Sequence, residues 1–167
     1  DGERDNVRTR STNMGVFITD ALLAETGADF ALQNGGGIRT SIDAGPVTRG
    51  EVITVLPFGN TVVVKEITGQ MMVDIIENGI SSLPGASGAY SHVGGLNYTF
   101  DVTKEPGSRV LEVLVDGSPI DLNKNYSLAT NDFLAAGGDN YKMLVGTKSL
   151  AELGTLDDVF IDHLNSY

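Results

Sequence analysis

The chain has 167 residues, of which 41% are hydrophobic and 20% are charged. This length favours one domain, and the composition is that of a globular and not of a disordered protein. Lysine and arginine number 11 against 22 aspartates and glutamates, for a net charge of −11. Such a chain lacks the basic face that binding to nucleic acid polymers requires. No apolar run approaches the roughly 20 residues of a membrane span, and the absence of cysteine excludes disulfides and thiolate metal sites.

The start of the chain and its glycines carry further information. The sequence begins at Asp1 without an initiator methionine or a signal peptide, so we interpret it as a piece of a longer protein. Its 21 glycines cluster at Gly35–Gly37, Gly94–Gly95 and Gly137–Gly138. Clusters of this kind predict specific backbone conformations and not a flexible linker.

The first half of the chain begins with a helical pattern. Apolar residues recur every three or four positions at Met14, Phe17, Ile18, Ala21 and Leu22. This period predicts an amphipathic helix with Thr12 or Asn13 as its N-cap and Gly27 as its end. Residues 29–33 are then predicted to form a short buried strand that runs into the glycine-rich segment 34–39.

A capping box and a β-branched run predict the next three elements. The segment Thr48–Glu51 fits a capping box, so a short helix should follow it and end before Pro57. The β-branched segment Thr61–Ile67 predicts a strand. Thr68 should begin a second amphipathic helix, which Gly79 is predicted to close. Its apolar stripe consists of Met71, Met72, Ile75 and Ile76.

The second half of the chain is dominated by extended patterns. Residues 81–95 are rich in glycine, serine and proline and are predicted to form a loop. Strands are predicted at Leu96–Val102, Val110–Val115 and Tyr126–Thr130. Asp116–Gly117 is a hairpin turn signal, and a last helix should open at Thr155 with Val159, Phe160 and Leu164 facing inward. The whole pattern predicts a single α+β domain over residues 1–167, with a mixed or antiparallel sheet and several amphipathic helices.

The segment Asn34–Arg39 is the first candidate for chemistry. Three glycines after a strand let the backbone turn tightly and approach a ligand closely. Exposed N–H groups in such a turn form an anion-binding concavity, and Arg39 offers a bidentate fork for phosphate or carboxylate. A tight turn followed by a surface arginine is the alternative interpretation.

Two further segments combine an aromatic residue with a polar one. Phe58 precedes a strand in a bend, where its ring could stack on a planar ligand, and Asn60 follows it. Phe133 and Asp139 lie in the loop 131–141, and loops are where binding residues concentrate. The alternative is that both phenylalanines belong to the core and that the polar residues satisfy their own turns.

A catalytic centre is not evident in the sequence. The histidines are His92 and His163, without an H-x-H or H-E-x-x-H spacing. Both are interpreted as packed or surface residues and not as metal ligands. No G-x-S-x-G elbow is present, and the acidic pair Asp157-Asp158 fits a helix N-terminus.

Four motifs taken together resemble the C-terminal domain of the 5′-nucleotidase family of bacteria and animals. In chain order they are Arg8 with Thr12–Gly15, Asn34–Arg39, Pro57–Asn60, and Asn131–Phe133 with Gly137–Tyr141. The likeness extends from about Arg4 to Tyr167, with Ser87–Tyr90 and Gly94–Gly95 between the third and fourth motifs.

The resemblance implies a two-domain enzyme of which this chain is the substrate-binding part. An N-terminal metallophosphoesterase domain, absent from this chain, would hold two divalent metal ions and the catalytic residues. The expected ligands are AMP-like nucleotides and nucleosides. The expected reaction is hydrolysis of nucleoside phosphates, with 2′,3′-cyclic nucleotides as further candidate substrates, and the expected location is extracellular, periplasmic or at the cell surface. The chain alone is expected to be inactive and to bind no metal.

The resemblance also implies roles for individual residues. Those implied to bind phosphate are Arg4, Arg8 and Arg39. Those implied to bind the base or the ribose are Asn34, Phe58, Asn60, Phe133 and Asp139, with the two phenylalanines on either side of the base. Arg10 lies two positions from Arg8 and could compete for its role.

Two other interpretations remain open at this stage. The chain could be a stand-alone module that binds nucleosides or nucleotides without catalysis, or a structural or adhesive domain that keeps the fold but binds no ligand. A metallophosphoesterase segment upstream of Asp1 would favour the two-domain enzyme over the stand-alone module.

Overall fold

The computed structural model describes residues 1–167. Its helices are α1 (Arg4–Val7), α2 (Asn13–Thr26), α3 (Arg49–Val55), α4 (Gly69–Ile80), α5 (Asp132–Ala135) and α6 (Leu156–Leu164). Its strands are β1 (Phe30–Asn34), β2 (Thr61–Thr68), β3 (Ser91–Gly94), β4 (Asn97–Phe100), β5 (Val110–Val115), β6 (Ser118–Pro119), β7 (Asn125–Asn131) and β8 (Ser149–Thr155). None of the helices combines the length and the apolarity that crossing a membrane would require.

The strands form two sheets. The larger holds five strands in the order β3–β1–β7–β2–β8, and the smaller is the antiparallel sheet β4–β5–β6. In the larger sheet β1 and β7 are parallel, with Phe30 opposite Leu128, and the other neighbours are antiparallel. The α+β class with a mixed sheet is therefore confirmed. The parallel pair brings the carboxyl ends of β1 and β7 to the same edge.

The larger sheet separates two hydrophobic clusters. Side chains alternate along β1, so Ala31 packs with α2, α3 and α6 while Phe30 and Leu32 pack with α4 and the smaller sheet. The same division holds in β7, where Ala129 and Leu128 belong to opposite clusters. Because both faces are covered, all five residues of β1 are buried, and this central part of the sheet is a rigid base for what lies at its edge.

The predicted helix boundaries are confirmed at most positions. The Thr12 side chain accepts a hydrogen bond from Gly15 N at the start of α2, and Gly27 ends the helix with a positive φ of 65°. The capping box at Thr48 and Glu51 is complete. Local capping chemistry therefore decides where these helices begin and end.

Two predictions about α4 and the segment after it are wrong. Gly79 does not close α4, which continues to Ile80. A Cβ atom at Gly79 would lie 2.1 Å from Ser91 Oγ, so glycine is present because β3 packs closely against the helix. The predicted loop 81–95 likewise contains β3, which pairs with β1 as an edge strand.

Four elements besides β3 were not anticipated by the sequence patterns, among them α5, which lies within the predicted loop 131–141. The single turn α1 lies in the polar start of the chain, and β8 pairs with β2 although most of its residues are exposed. The turn Asp116–Gly117 joins β5 to the two-residue strand β6, whereas the predicted strand at 126–130 belongs to the larger sheet. The strands β6 and β8 depend on their pairing partners more than on their own patterns.

A buried arginine holds the end of α4 against the smaller sheet. Arg109 is 7% exposed, and its Nη1 donates to the carbonyl oxygens of Ile80, Ser81 and Leu83 at 2.8, 3.2 and 2.9 Å. The Glu77 carboxylate accepts the backbone N–H of Arg109 at 3.1 Å. Arg109 thereby satisfies the carbonyl of Ile80, the last residue of α4, which has no partner within the helix, together with two carbonyls of the segment that follows it.

Replacing this arginine should destabilise the fold strongly. Arg109→Met leaves buried carbonyl groups without donors, and we expect a loss of about 2–4 kcal/mol in the free energy of unfolding. Arg49→Met is the matched control, because Arg49 pairs with Asp158 at the exposed surface and should cost about 0–1 kcal/mol. Urea denaturation of both variants measures the difference, and equal losses would contradict this role of Arg109.

Candidate functional site

A cavity of about 410 Å³ opens at the edge of the larger sheet where β1 and β7 end. Its lining consists of Arg8, Asn34, Gly36, Gly37, Phe58, Asn60, Gly88, Phe133 and Asp139. Six of the eight residues that the sequence analysis singled out for binding are in this lining. The remaining two, Arg4 and Arg39, are exposed and lie outside it.

The two phenylalanines of the cavity are exposed and do not belong to the core. Phe58 is 58% exposed and Phe133 is 46% exposed, so the alternative interpretation that placed them in the core is wrong. Phe58 lies between α3 and β2, and Phe133 lies on α5. A Cβ atom at Gly138 would come within 2.6 Å of the Phe133 ring, so a glycine is required there for the ring to keep this position. Open aromatic faces of this kind are suited to stacking on a planar ligand.

A buried network of amide side chains connects the ends of β1 and β7. Asn131 Nδ2 donates to Gln33 Oε1 at 3.1 Å and to Asn34 Oδ1 at 3.3 Å. Asn131 Oδ1 accepts from Leu134 N at 3.0 Å and so caps α5, which carries Phe133. Sequence reasoning gave no role to Gln33, because its partner lies 98 residues away along the chain. The network fixes the direction in which α5 leaves the sheet.

The same network reaches Asp139. Asn34 Nδ2 donates to Asp139 Oδ2 at 2.7 Å, so the carboxylate does more than satisfy its own turn. The backbone of Asp139 and Asn140 is left-handed, with φ of 53° and 66°, which is unfavourable for residues other than glycine. Asn78 Nδ2 donates to the Asp139 carbonyl at 3.1 Å and supports this conformation. The surrounding structure therefore holds the carboxylate in the cavity at some cost in backbone strain.

Positive charge converges on the other side of the cavity. An atom placed at the Cβ position of Gly88 would lie 3.9 Å from Arg8 Nη1 and 3.8 Å from Asp139 Oδ2, so both groups face the same point. Burial lowers the pKa of Arg8, and the charges of Arg4 and Arg39 lower it further, whereas Asp139 acts in the opposite direction. Arg8 Nε is buried without a hydrogen-bond partner. Arg8 therefore forms no ion pair within the protein, although the charges of Asp139 and Asp5 act on it.

The other arginines differ in their relation to the cavity. Arg39 Nη1 donates to the Gly36 carbonyl at 3.3 Å, and its guanidinium carbon lies 5.6 Å from the centroid of the Phe58 ring. Arg39 therefore lies at the rim beside one aromatic wall. Arg10 Nη2 donates to Asn6 Oδ1 at 2.6 Å, and Arg10 is absent from the lining. The structure thus favours Arg8 over Arg10 as the cation of the cavity.

The histidines and carboxylates form no metal centre within this chain. No three histidine, aspartate or glutamate side chains are grouped where they could hold a metal ion. His92 is buried in β3, and His163 packs against Phe17 with ring centroids 4.9 Å apart. What the arrangement offers chemically is two aromatic faces, amide and carboxylate groups for hydrogen bonding, and a cation, which together suit a ligand with a planar ring and an anionic group.

Comparison with known proteins shows the family and the fold. The sequence model of the family described as "5′-nucleotidase, C-terminal domain" matches residues 1–146. The chain is similar to the crystal structure of the 5′-nucleotidase precursor from Thermus thermophilus, with a TM-score of 0.93 and 41% identity over 99% of this chain and 34% of that one. The matched part of that structure shares its fold with this chain.

Curated relatives are similar over nearly the whole chain. The trifunctional nucleotide phosphoesterase protein YfkN of Bacillus subtilis (strain 168) is 42% identical over 98% of this chain, which spans 12% of that protein. The protein UshA of Escherichia coli (strain K12) is 38% identical over 94% of this chain, which spans 28% of UshA. The present chain thus corresponds to a minor part of each relative.

Removing the amide that connects β1, β7 and α5 should weaken the fold. Asn131→Ala leaves buried amide groups and the Leu134 N–H without partners, so we expect a loss of about 2–4 kcal/mol in the free energy of unfolding. Asn125→Ala, at the exposed start of the same strand, is the control and should change stability by less than about 0.5 kcal/mol. Denaturant unfolding gives both values, and hydrogen exchange of the Leu134 amide should accelerate in Asn131→Ala alone. Unchanged exchange at Leu134 would argue against the capping role.

Proposed function

The chain belongs to the family of 5′-nucleotidase C-terminal domains, and we propose that it is the substrate-binding domain of a two-domain, metal-dependent nucleotidase. The whole enzyme would hydrolyse nucleoside phosphates. The observation that carries this proposal is the cavity in which two exposed phenylalanines, Asp139 and an Arg8 without an ion pair face one space. The names of the relatives, nucleotide phosphoesterase and 5′-nucleotidase, support the reaction class.

The nucleobase would lie between Phe58 and Phe133. Stacking of a base on an aromatic side chain contributes about 1–3 kcal/mol and depends little on which base is bound. Asn34 and Asn60 are in the same lining, and Asn60 offers an amide that can donate to and accept from the edge of a base. A clamp of this kind predicts binding of several nucleosides.

The ribose and the phosphate would occupy the polar side of the cavity. Asp139 already accepts a hydrogen bond from Asn34, and its remaining lone pairs can accept from ribose hydroxyl groups. Arg8 would bind the phosphate, with Arg39 and Arg4 adding positive charge from the rim. Guanidinium groups match the geometry of phosphate oxygens and form strong, charge-assisted hydrogen bonds with them.

The hydrolytic step would require a second domain. Two divalent metal ions on an N-terminal metallophosphoesterase domain would supply Lewis-acid activation of water and of the phosphate. The residues of this chain would fix the orientation of the nucleoside and offset the charge of the phosphate. We therefore expect the chain alone to bind nucleotides without hydrolysing them, and we expect the whole enzyme to work outside the cell, in the periplasm or at the cell surface.

Loss of one aromatic wall should weaken binding of an uncharged nucleoside. We expect Phe133→Ala to reduce the affinity for adenosine about 5- to 150-fold, because the base loses one stacking face worth about 1–3 kcal/mol. Phe100→Ala, which removes an exposed phenylalanine of β4 outside the cavity lining, should leave the affinity unchanged. Calorimetric titration measures all three proteins, and saturable adenosine binding that Phe133→Ala leaves intact would contradict the clamp.

Loss of the Arg8 cation should weaken binding of a nucleotide without weakening binding of a nucleoside. We expect Arg8→Met to weaken AMP binding at least about 10-fold, since a hydrogen bond to a charged group contributes about 1.5–3 kcal/mol, while adenosine affinity changes less than about twofold. Arg10→Met is the matched control, because Arg10 pairs with Asn6 outside the cavity. Titration with both ligands tests this, and parallel losses for AMP and adenosine would rule out a phosphate-specific role for Arg8.

A further inference from the structure

His92 belongs neither to the sequence motifs nor to the cavity lining, but it makes a buried hydrogen bond next to Arg8. It is 3% exposed in β3, and its Nε2 lies 2.8 Å from the carbonyl oxygen of Val7. A carbonyl group accepts hydrogen bonds and cannot donate them, so Nε2 carries the proton. Nδ1 is buried without a partner, and burial lowers the pKa of His92. The ring is therefore neutral, with its one N–H directed at Val7.

The ring occupies a space that its neighbours leave for it. A Cβ atom at Gly15 on α2 would lie 2.0 Å from His92 Nδ1, and the Tyr90 ring meets the imidazole edge-on at 5.2 Å. Gln33 is the partner of His92 in the pairing of β1 with β3. Tyr90 is the titratable neighbour in this group, and burial raises its pKa, so it is uncharged. The histidine is thus held rigidly and donates from a fixed position.

The hydrogen bond acts on the peptide group that precedes Arg8. Val7 is the last residue of α1, a helix of one turn that is too short to be stable by itself. The next carbonyl, that of Arg8, accepts from Ser87 N at 3.0 Å. Two consecutive carbonyl groups are therefore held from outside α1, one by His92 and one by the loop that carries Gly88.

The side chain of Arg8 has little else to fix its direction. Its Nε has no partner within the protein, and no hydrogen bond from its guanidinium group is formed in this structure. The position of the guanidinium therefore depends on the backbone from which it extends and on the packing that buries Nε. A displacement of about 1 Å would move the guanidinium away from the short distance, about 2.7–2.9 Å, that a charge-assisted hydrogen bond to phosphate requires.

We propose that His92 is a positioning residue for Arg8: by holding the Val7 carbonyl it sets where the guanidinium group meets the phosphate of a nucleoside monophosphate. This inference rests on the proposed function, because it assumes that Arg8 binds phosphate. It deepens that function, because the affinity of Arg8 for phosphate would then depend on a buried residue outside the cavity lining. The nucleoside part of the ligand is bound by other elements and should not respond to His92.

The test uses three variants of His92 that differ in whether, and at what distance from the backbone, they carry an N–H donor for the Val7 carbonyl. His92→Leu removes the donor and keeps an apolar side chain, while His92→Gln keeps an N–H donor, since the Nε2 atoms of glutamine and histidine lie at similar distances from the backbone. His92→Asn carries the same amide on a shorter side chain. We expect His92→Leu and His92→Asn to weaken AMP binding roughly 5- to 20-fold, and His92→Gln to restore it to within about threefold. Adenosine affinity should stay within about twofold in all three.

Calorimetric titration with AMP and with adenosine provides the readout, after thermal unfolding has shown each variant to be folded. His163→Leu is the control, because His163 lies on α6 and packs against Phe17 of α2, away from α1. If His92→Leu is unfolded, the comparison of His92→Asn with His92→Gln decides the question.

The outcomes separate this inference from the proposed function. A selective loss of AMP affinity that His92→Gln reverses supports positioning. Equal losses for AMP and adenosine, or no loss at all, overturn the inference even when Arg8→Met selectively weakens AMP. If Arg8→Met has no selective effect, or if the unaltered chain binds neither ligand, the proposed function fails first and the role of His92 fails with it.

Discussion

The parallel pairing of β1 with β7 is the constraint on which the site depends. It brings Asn34 and Asn131 to one edge of a sheet that is covered on both faces. Amide groups buried there must find partners, because an unpaired buried polar group costs about 1–3 kcal/mol. The hydrogen bonds among Gln33, Asn34 and Asn131 meet this requirement. Two other groups of the same amides make further hydrogen bonds: Asn131 Oδ1 caps α5, and Asn34 Nδ2 donates to Asp139. The network that satisfies the buried amides therefore also orients two walls of the cavity.

The cavity contains several features that reduce stability. Phe58 and Phe133 are exposed, Arg8 Nε is buried without a partner, and Asp139 and Asn140 are left-handed. None of these improves the packing of the chain, and all of them face one space or adjoin it. Local departures from the rules of folding are typical of functional sites. The fold can keep these unfavourable features because other parts of it are strongly stabilised. These parts are the two hydrophobic clusters and the hydrogen bonds of Arg109 at the end of α4.

The sequence predicted those parts of the fold that local chemistry decides. The caps at Thr12, Gly27 and Thr48 and the apolar stripes of α2 and α4 are short-range signals, and the structure agrees with them. The strands β3 and β8 escaped prediction because their pairing partners, and not their own apolar patterns, make them strands. For the site, residue types and motif order indicated which side chains to examine. They could not show that Phe58 and Phe133 are exposed or that the amides of β1 meet those of β7, since both facts arise from contacts between distant parts of the chain.

The distribution of charge explains how an acidic chain can favour a small anion. The net charge of −11 repels a polyanion, whose phosphates would spread across the surface. Arg4 and Arg39 are close enough to Arg8 for their charges to lower its pKa, so three arginines lie near one cavity. Over the few ångströms between a bound phosphate and these groups, screening is weak compared with that across the surface, where the Debye length is about 8 Å at physiological salt. Under the proposed function, a ligand small enough to place its single phosphate at Arg8 would meet the attractive part of this field, and its selection would follow from the size of the ligand as much as from its charge.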